Sequence, residues 1–374
     1  MNIALSSRHE DASRRGWQHS LHLDAQLLFS LIGLSALGLI VLYSAGGGDM
    51  ALVERQLIRL GIAFTGMFAV AQVPPRLLLR LTPWVFLVGV LFLVAVLLTG
   101  EISGGAQRWL NLYVVRFQPS EIMKLAVPMA VAWYLAEARL PPNYWQLLAA
   151  TALIAVPMML ILKQPDLGTA LLIASSGFFV VFLAGLQWRV LGFLAMVMTA
   201  AAPAIWHFMH DYQRQRVITL LNPESDPLGS GYHIIQSKIA LGSGGLFGKG
   251  WLNGSQAQGK FLPEGSTDFI FAVTGEEFGL LGLLLILALY LFLVGRGLVI
   301  AVQAQGTFSR LLAGSISLTF FVYVFVNTGM VTGLLPVVGI PLPLMSYGGT
   351  SMVTLMAGFG ILMAIQGHRK LLAH

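Results

Sequence analysis

Ten apolar runs, each close to the length that crosses a lipid bilayer, divide this chain of 374 residues. A spanning helix needs about 20 mostly apolar residues, because its backbone polar groups have no water to bind. Only 10% of the residues are charged, against about 25% in soluble domains. The sequence therefore predicts an all-α polytopic membrane protein with about ten transmembrane helices. The runs lie near 25–45, 57–73, 82–99, 119–137, 146–162, 167–186, 190–207, 270–293, 311–330 and 348–366.

The distribution of basic residues predicts the orientation of these helices. Lysine and arginine are more frequent before the first run, after even-numbered runs and at the C-terminus than in the other short connections. Since cytoplasmic loops carry the excess of basic residues, both termini are predicted to be cytoplasmic. The chain then divides into a cytoplasmic N-terminal tail (1–24), a single transmembrane domain (25–370) and a cytoplasmic C-terminus (371–374). The long polar segment 208–269, between the seventh and eighth runs, becomes a large extracytoplasmic loop.

Composition also limits the chemistry. The chain has no cysteine, which excludes disulfides, thiolate metal ligands and a cysteine nucleophile. Its net charge of +6 fits a membrane protein, and we predict no nucleic-acid partner and no organic cofactor. No grouping of His, Asp and Glu has a convincing metal-ligand spacing, so metal ligands are not assigned. A divalent cation, Mg²⁺ or Mn²⁺, can still bridge a pyrophosphate and a carboxylate with few protein ligands.

Asp268 stands where the long polar segment meets the eighth apolar run. It can be a helix cap or a first-turn acid that the helix dipole stabilises. It can also be a functional carboxylate at the edge of the membrane. Apolar surroundings raise the pKa of a carboxyl group, and such a group can take the proton from an attacking hydroxyl.

Glu121 and Lys124 lie three residues apart at the start of the fourth run, hence on one face of a helix and within pairing distance. Pro119 suits a first helical turn. The two charges can neutralise each other so that the helix enters the bilayer. They can also mark a site, because ion pairs inside membranes are costly. Both interpretations stay open.

Several other polar positions have structural as well as functional interpretations. Arg108 and Trp109 can hold a phosphate and a sugar face, or form a pair at the membrane interface. Asp166 is interpreted as a helix cap and Asp226 as a turn former. Segment 331–347 contains three prolines and cannot be a regular helix, so we expect it to pack on the bundle as an irregular loop.

Two further features surround the start of the eighth run. The glycine-rich stretch 242–250 lacks the residue order of a phosphate-binding Walker loop. We expect its glycines to let the loop lie against the membrane surface or a polyprenyl pyrophosphate. Glu276 and Glu277 lie two turns beyond Asp268, and one of them is predicted to face the interior of the bundle near a basic residue.

Six ordered motifs resemble the SEDS family of polytopic membrane proteins, over essentially residues 25–370. They are Gly-Ala-Gln-Arg-Trp (105–109), Gln-Pro-Ser-Glu-Ile-Met-Lys (118–124), Gln-Pro-Asp-Leu-Gly-Thr (164–169), Asn-Pro-Glu-Ser-Asp-Pro-Leu-Gly-Ser-Gly-Tyr-His-Ile-Ile-Gln-Ser (222–237), Pro-Glu-Gly-Ser-Thr-Asp-Phe (263–269) and Gly-Ile-Pro-Leu-Pro-Leu-Met-Ser-Tyr-Gly-Gly-Thr-Ser (339–351). Jointly these motifs are highly specific for that family.

The resemblance implies a peptidoglycan glycosyltransferase that polymerises lipid II at the outer face of the bacterial cytoplasmic membrane, during cell elongation. Asp268 matches the family's essential aspartate, and Glu121 and Lys124 match an acid and a base held important there. The remaining candidates for binding or supporting the substrate are Arg108, Trp109, Arg214, Arg216, Asp226 and Gln236. The leaving pyrophosphate needs positive charge, which can come from Lys124, Arg108, Arg214, Arg216 or a metal ion.

The same resemblance implies the partners. They are lipid II, the undecaprenyl-pyrophosphate-linked glycan, membrane lipids and a class B penicillin-binding protein that acts as transpeptidase. Two other functional classes stay open, a lipid II flippase and a scaffold that only positions the transpeptidase. A flippase should carry its key charges near the middle of the membrane, whereas the candidates here gather at the outer edge.

Overall fold

The computed structural model describes residues 23–103, 106–111, 116–209, 211–227, 229–259, 261–262 and 264–368. These residues form thirteen α-helices and three short strands. Most of the predicted N-terminal tail and the whole of 371–374 lie outside them. In chain order the elements are α1 Ala25–Ala45, α2 Met50–Ala71, α3 Pro75–Thr99, β1 Glu101–Ser103, β2 Ala106–Asn111, β3 Arg116–Phe117, α4 Pro119–Ala136, α5 Tyr144–Leu162, α6 Leu167–Leu183, α7 Trp188–Phe208, α8 Asp211–Leu221, α9 Ser230–Ser243, α10 Ser255–Gln258, α11 Ile270–Gln303, α12 Thr307–Thr332 and α13 Thr350–Gly367.

Helices α1 to α7 and α11 to α13 coincide with the ten predicted spans, and the protein is a multi-pass membrane protein. Six of them, α1, α3, α5, α11, α12 and α13, are long and apolar enough to cross a membrane by length and hydropathy alone. Helices α6 and α7 contain shorter apolar stretches. Helices α2 and α4 carry charged residues, which lowers their hydropathy although α4 is buried along most of its length.

Helix α4 lies at the centre of the bundle, where it packs against α3, α5, α6 and α12. Helix α2 packs along α13, and α11 packs along α12. The connection before α4 forms a small antiparallel sheet in the order β1-β2-β3, which the sequence did not predict. The sheet places the connection that carries Arg108 over the starts of α4 and α6. The membrane-spanning part of the fold is all-helical, as predicted.

The polar segment 208–269 is mostly ordered helix rather than an open loop. It contains α8, a 3₁₀ turn at Pro223–Ser225, α9 and α10, and α9 packs against both α11 and α12. Segment 333–349 has no regular helix, and its Ile340, Leu342 and Met345 are buried. This confirms the predicted irregular loop packed on the bundle. The two segments meet at the hydrogen bond from the Tyr347 N–H to the carbonyl of Ser266 and together cover one end of the bundle.

Helix α11 is broken at Gly279, where φ is 64° and ψ is −164°. Segment 245–250 inserts into the break through four backbone hydrogen bonds. The N–H groups of Lys249 and Gly250 donate to the carbonyls of Glu276 and Glu277 at 2.9 and 3.0 Å, and residues 280 and 281 donate to those of residues 245 and 246. A Cβ at Gly279 would lie 2.4 Å from the nitrogen of Gly248. The backbone of this glycine-rich stretch thus replaces the missing helical partners. Its contact with the membrane surface or a polyprenyl pyrophosphate stays a prediction.

Both glutamates beside the break are buried, which confirms and extends the prediction for one of them. The Glu276 carboxylate accepts hydrogen bonds from Lys249 Nζ at 2.8 Å and Ser255 Oγ at 3.0 Å. Glu277 accepts a hydrogen bond from Ser44 at the end of α1. Their shared role in the fold is to hold the inserted segment and α1 against α11.

Candidate active site

Helices α2, α4, α6, α11 and α13 all begin at one end of the bundle, which we call the outer end. Asp268 lies there, half-buried, in a turn formed by residues 264–269. The residue at the N-cap of α11 is Phe269, and no side-chain cap hydrogen bond is made. Asp268 therefore is not the cap of this helix, and the capping interpretation was wrong. Its carboxylate is left for another role.

The surroundings of Asp268 make its carboxylate more basic than usual. Burial, together with the nearby negative charge of Glu264, raises the pKa of Asp268 to about 6. A carboxylate with this pKa is mainly ionised at pH 7 and still accepts a proton readily. General bases work best when their pKa is close to the working pH.

The turn 264–269 is docked on the proline-containing segment 333–349. Ser346 Oγ donates to the carbonyl of Thr267 at 2.5 Å, and the Tyr347 N–H donates to the carbonyl of Ser266 at 2.9 Å. From α2, Gln56 Nε2 donates to the carbonyl of Ser346 at 3.1 Å. The carboxylate is thus carried by a turn that the proline-containing segment holds in place, and α2 holds that segment in turn.

Arg59 connects this docked turn to the start of α13. Its guanidinium carbon lies 4.3 Å from the centre of the Tyr347 ring, a cation–π distance. Its side chain also lies within 4.0 Å of a Cβ placed on Gly349, the residue that precedes α13. Arg59 therefore presents a positive charge beside the turn that carries Asp268.

Glu121 and Lys124 form the ion pair that their spacing predicts, with Lys124 Nζ 2.7 Å from Glu121 Oε1. Both side chains are buried. Ser351 Oγ from α13 donates to the same oxygen at 3.0 Å, whereas Glu121 Oε2 has no hydrogen-bond partner among the described residues. Lys124 Nζ lies 5.5 Å from the ring centre of Tyr323 on α12. The pair joins α4, α12 and α13 at the outer end, and one carboxylate oxygen is left to accept a further bond.

An apolar groove of about 570 Å³ runs between α2, α3, α4 and α13. Its charged lining residues are Arg59 and Glu121, which lie nearer the outer ends of their helices than the apolar residues do. Aliphatic side chains, among them Ile62, Leu78 and Leu125, form most of the rest. A groove with one polar end and apolar walls suits a lipid whose headgroup lies at the outer end.

Arg108 makes contacts that differ from the predicted phosphate contact. Its Nη2 donates to the carbonyl of Pro165 at 2.7 Å, and its Nε lies 3.6 Å from Asp166 Oδ2. Asp166 caps α6 by accepting from the N–H of Thr169 at 3.1 Å, as its sequence position predicts. Trp109 is half-buried in β2. In this structure Arg108 holds the α5–α6 turn in place, and a contact with substrate stays a prediction.

The candidates in segment 208–269 lie on α8, on the turn that follows it and on α9. Arg214 donates to the carbonyls of Trp206 and His207 at 3.0 and 2.5 Å, and so satisfies the last turn of α7. Arg216 is on the same helix, α8. Asp226 accepts from Ser230 Oγ at 3.1 Å, which supports the turn interpretation, and Gln236 is half-buried on α9. Their binding roles stay predictions.

Comparison with known proteins agrees with this architecture. Residues 25–371 match the FtsW/RodA/SpoVE family of cell cycle proteins. The chain belongs to this family. The SEDS assignment from the sequence motifs is therefore confirmed, and within the family those motifs point to the RodA branch.

Two relatives of this SEDS chain are named as enzymes. The peptidoglycan glycosyltransferase MrdB of Escherichia coli (strain K12) is 52% identical over 365 residues, which cover 97% of this chain and 99% of the relative. The probable peptidoglycan glycosyltransferase FtsW of Trichlorobacter lovleyi is 36% identical and is covered to 94%.

Solved structures share the fold of this SEDS chain. A chain from a study of a peptidoglycan synthase complex, on the coordination of polymerization and crosslinking, aligns with a TM-score of 0.80 at 32% identity over 92% of this chain and 97% of that one. The crystal structure of the rod shape determining protein RodA of Thermus thermophilus aligns with a TM-score of 0.70 at 30% identity, over 92% of this chain and 96% of that one.

The sequence did not identify four residues that the structure places around Asp268. They are Gln56, Arg59, Asn327 and Ser346. A usable signal was present for Arg59 and Asn327, because a strongly polar residue inside an apolar run is costly and marks a site. Ser346 gave no such signal, because its role depends on a contact with Thr267 that is 79 positions away along the chain.

Proposed function

We propose that this chain polymerises lipid II into glycan strands at the outer face of the bacterial cytoplasmic membrane during cell elongation. The class of activity follows from its relatives, and the chain is a peptidoglycan glycosyltransferase of the MrdB type. One observation supports the finer proposal most directly. The basic carboxylate of Asp268 and the polar end of the apolar groove are joined by the same segment, through Tyr347 and Arg59.

In the proposed reaction, the 4-hydroxyl of the acceptor's GlcNAc attacks the anomeric carbon of the donor glycan. Asp268 takes the hydroxyl proton as the new C–O bond forms. The bond from that carbon to the pyrophosphate breaks, the configuration inverts, and undecaprenyl pyrophosphate leaves with the bonding electrons. Arg59 lines the polar end of the groove and Lys124 pairs with Glu121 there, so both offset the charge that develops.

A divalent cation, Mg²⁺ or Mn²⁺, would add positive charge at the leaving pyrophosphate. Throughout the described ranges, no group of three or more His, Asp or Glu side chains is placed to hold a metal ion. Such an ion would therefore take most of its ligands from the pyrophosphate and water, and few from the protein. No organic cofactor is proposed.

We expect Arg59→Gln to raise the KM for lipid II about tenfold or more, because a charge-assisted hydrogen bond to phosphate contributes about 1.5–3 kcal/mol. Arg59→Lys should fall between this variant and the wild type, since it keeps the charge and loses the two-pronged geometry. Arg55→Gln is a matched control, because Arg55 is an exposed arginine one turn earlier on α2 and lies 4.0 Å from Asp49. Equal KM values for the Arg55 and Arg59 variants would argue against the pyrophosphate contact.

The rate of polymerisation should decrease as the pH falls through about 6. The base must be ionised to accept a proton, and protonation of Asp268, with its pKa near 6, removes it. Glu264→Gln removes the neighbouring charge that raises this pKa, so the acidic limb of the kcat/KM profile should move to lower pH. An acidic limb that stays in place in Glu264→Gln would contradict the assignment of that limb to Asp268.

The partner and location follow from the relatives as proposals. One similar structure comes from a complex in which polymerization and crosslinking are coordinated. We propose that this chain likewise acts beside a class B penicillin-binding protein as transpeptidase. In this arrangement residues 25–370 form one transmembrane domain, 208–269 lie outside the cytoplasmic membrane, and both termini are cytoplasmic.

A single experiment separates the enzyme from the flippase and the scaffold. Purified protein in vesicles is given labelled lipid II in the outer leaflet, with and without the transpeptidase and a divalent ion. Glycan strands resolved by electrophoresis support the polymerase. Movement of labelled lipid II across the vesicle membrane without polymer would support the flippase, and the absence of both with the transpeptidase present would support the scaffold.

A further inference from the structure

A buried amide joins the turn that carries Asp268 to the proline-containing segment. Asn327 lies near the outer end of α12 and has no exposed surface. Its Nδ2 donates to the carbonyls of Asp268 and Ile340, both at 2.8 Å. The two hydrogens of one amide thus serve two different elements, and neither bond is local in sequence.

The carbonyl of Asp268 depends on this side chain because it stands outside the helix. In the first turn of α11, the N–H groups of Ala272 and Val273 donate to the carbonyl of Phe269, at 2.9 and 3.4 Å. A buried carbonyl without a donor is strongly unfavourable. Ser346 holds the preceding carbonyl, that of Thr267. The turn is therefore fixed at two successive carbonyls, by α12 on one side and by the proline-containing segment on the other.

The second bond of Asn327 fixes Ile340, the neighbour of the residue that faces the carboxylate. Ile340 directly follows Gly339, and a Cβ at Gly339 would lie 3.4 Å from Asp268 Oδ2. Gly339 has a φ of 75°, a conformation in which glycine is favoured. Because one amide holds both Asp268 and Ile340, it sets the gap between the carboxylate and this backbone.

We propose that Asn327 is a positioning residue for glycosyl transfer, which sets the direction of the Asp268 carboxylate and the access of water to it. It acts through backbone atoms and does not contact the substrate. This inference rests on the proposed role of Asp268 as the base. The titratable groups around the turn include Glu264 on the turn itself and His233 on α9, whose ring stacks on Phe269 at 5.5 Å. On the side of the proline-containing segment they include Tyr347, with the Arg59 guanidinium over its ring.

The test uses Asn327→Leu, which keeps the approximate shape and removes both donors, and Asn327→Ser, which is small and keeps one donor. We expect kcat for lipid II polymerisation to fall about 10- to 100-fold in Asn327→Leu, since a misplacement of about 1 Å can cost about 100-fold. The KM should change by less than about threefold. The acidic limb of the kcat profile should move to lower pH in both variants, because a loosened turn admits water to the carboxylate.

Thr328→Val is the matched control, because Thr328 is the next residue on α12 and its hydroxyl bonds only within that helix. It should keep the wild-type kcat and pH profile. Asn327 is only a structural residue if the acidic limb stays at the wild-type pH and kcat falls in proportion to the monodisperse fraction on size exclusion. Full activity of Asp268→Asn would instead remove the proposed base, which is a separate result obtained with a different variant.

Discussion

Asp268→Asn is expected to lower the rate of lipid II polymerisation by about 10²- to 10⁴-fold, the range that a positioned general base contributes. The amide has nearly the same shape as the carboxylate and cannot take the proton of the attacking hydroxyl. Binding of lipid II should be retained, because the groove and Arg59 are unchanged. The measurement is the initial rate of glycan-strand formation by purified protein, together with its affinity for lipid II.

Asp268→Glu and Asp211→Asn complete this series. The longer carboxylate of Asp268→Glu keeps a base but meets Gly339, whose position allows only a close fit, so we expect an intermediate loss. Asp211 is a fully exposed acid at the start of α8, and its replacement should leave the rate unchanged. The base assignment fails if Asp268→Asn polymerises lipid II as fast as Asp211→Asn does.

The ten spanning helices could be predicted from the sequence because membrane insertion requires long apolar runs, whatever the tertiary contacts are. The sheet β1-β2-β3 could not, because its strands are short and pair through contacts that no periodic pattern marks. The insertion of segment 245–250 into α11 was missed for a related reason. Gly279 is one of three glycines in the run 270–293, and nothing local shows that another segment supplies its backbone partners.

The candidate site was predicted in part. Contacts between residues close in sequence were predicted, and contacts between distant residues were not. Glu121 and Lys124 pair over one helical turn, so their spacing was sufficient. Asp268 was identified by its place at the border of an apolar run, although the same border also suggested a cap. The contacts of Arg108 with Pro165 and of Asn327 with Asp268 join residues more than 50 positions apart. Such contacts depend on how the helices pack, which a single sequence does not show.

Substitution of the buried pair Glu121–Lys124 is the second change with a large expected effect. The structural and the functional interpretation of the pair predict different results for stability and activity. Lys124→Met leaves the Glu121 carboxylate buried without its partner, which should lower the free energy of unfolding by about 3–5 kcal/mol. The double variant Glu121→Gln with Lys124→Met removes both charges, so thermal melting in detergent should return towards the wild-type temperature. If the pair only allows α4 to enter the bilayer, activity returns with stability.

We expect activity not to return, because Glu121 lines the polar end of the groove and Lys124 bears charge there. The stable double variant should polymerise lipid II about 10²-fold more slowly than the wild type, the loss typical of one removed electrostatic contact to a developing negative charge. The matched control is the pair Arg296–Asp24, with 2.5 Å between Nη2 and Oδ2, at the opposite end of the bundle. Asp24→Asn with Arg296→Gln should change the melting temperature and leave the rate per folded molecule unchanged. Recovery of the wild-type rate by the double variant at 121 and 124 would show that the pair serves only the fold.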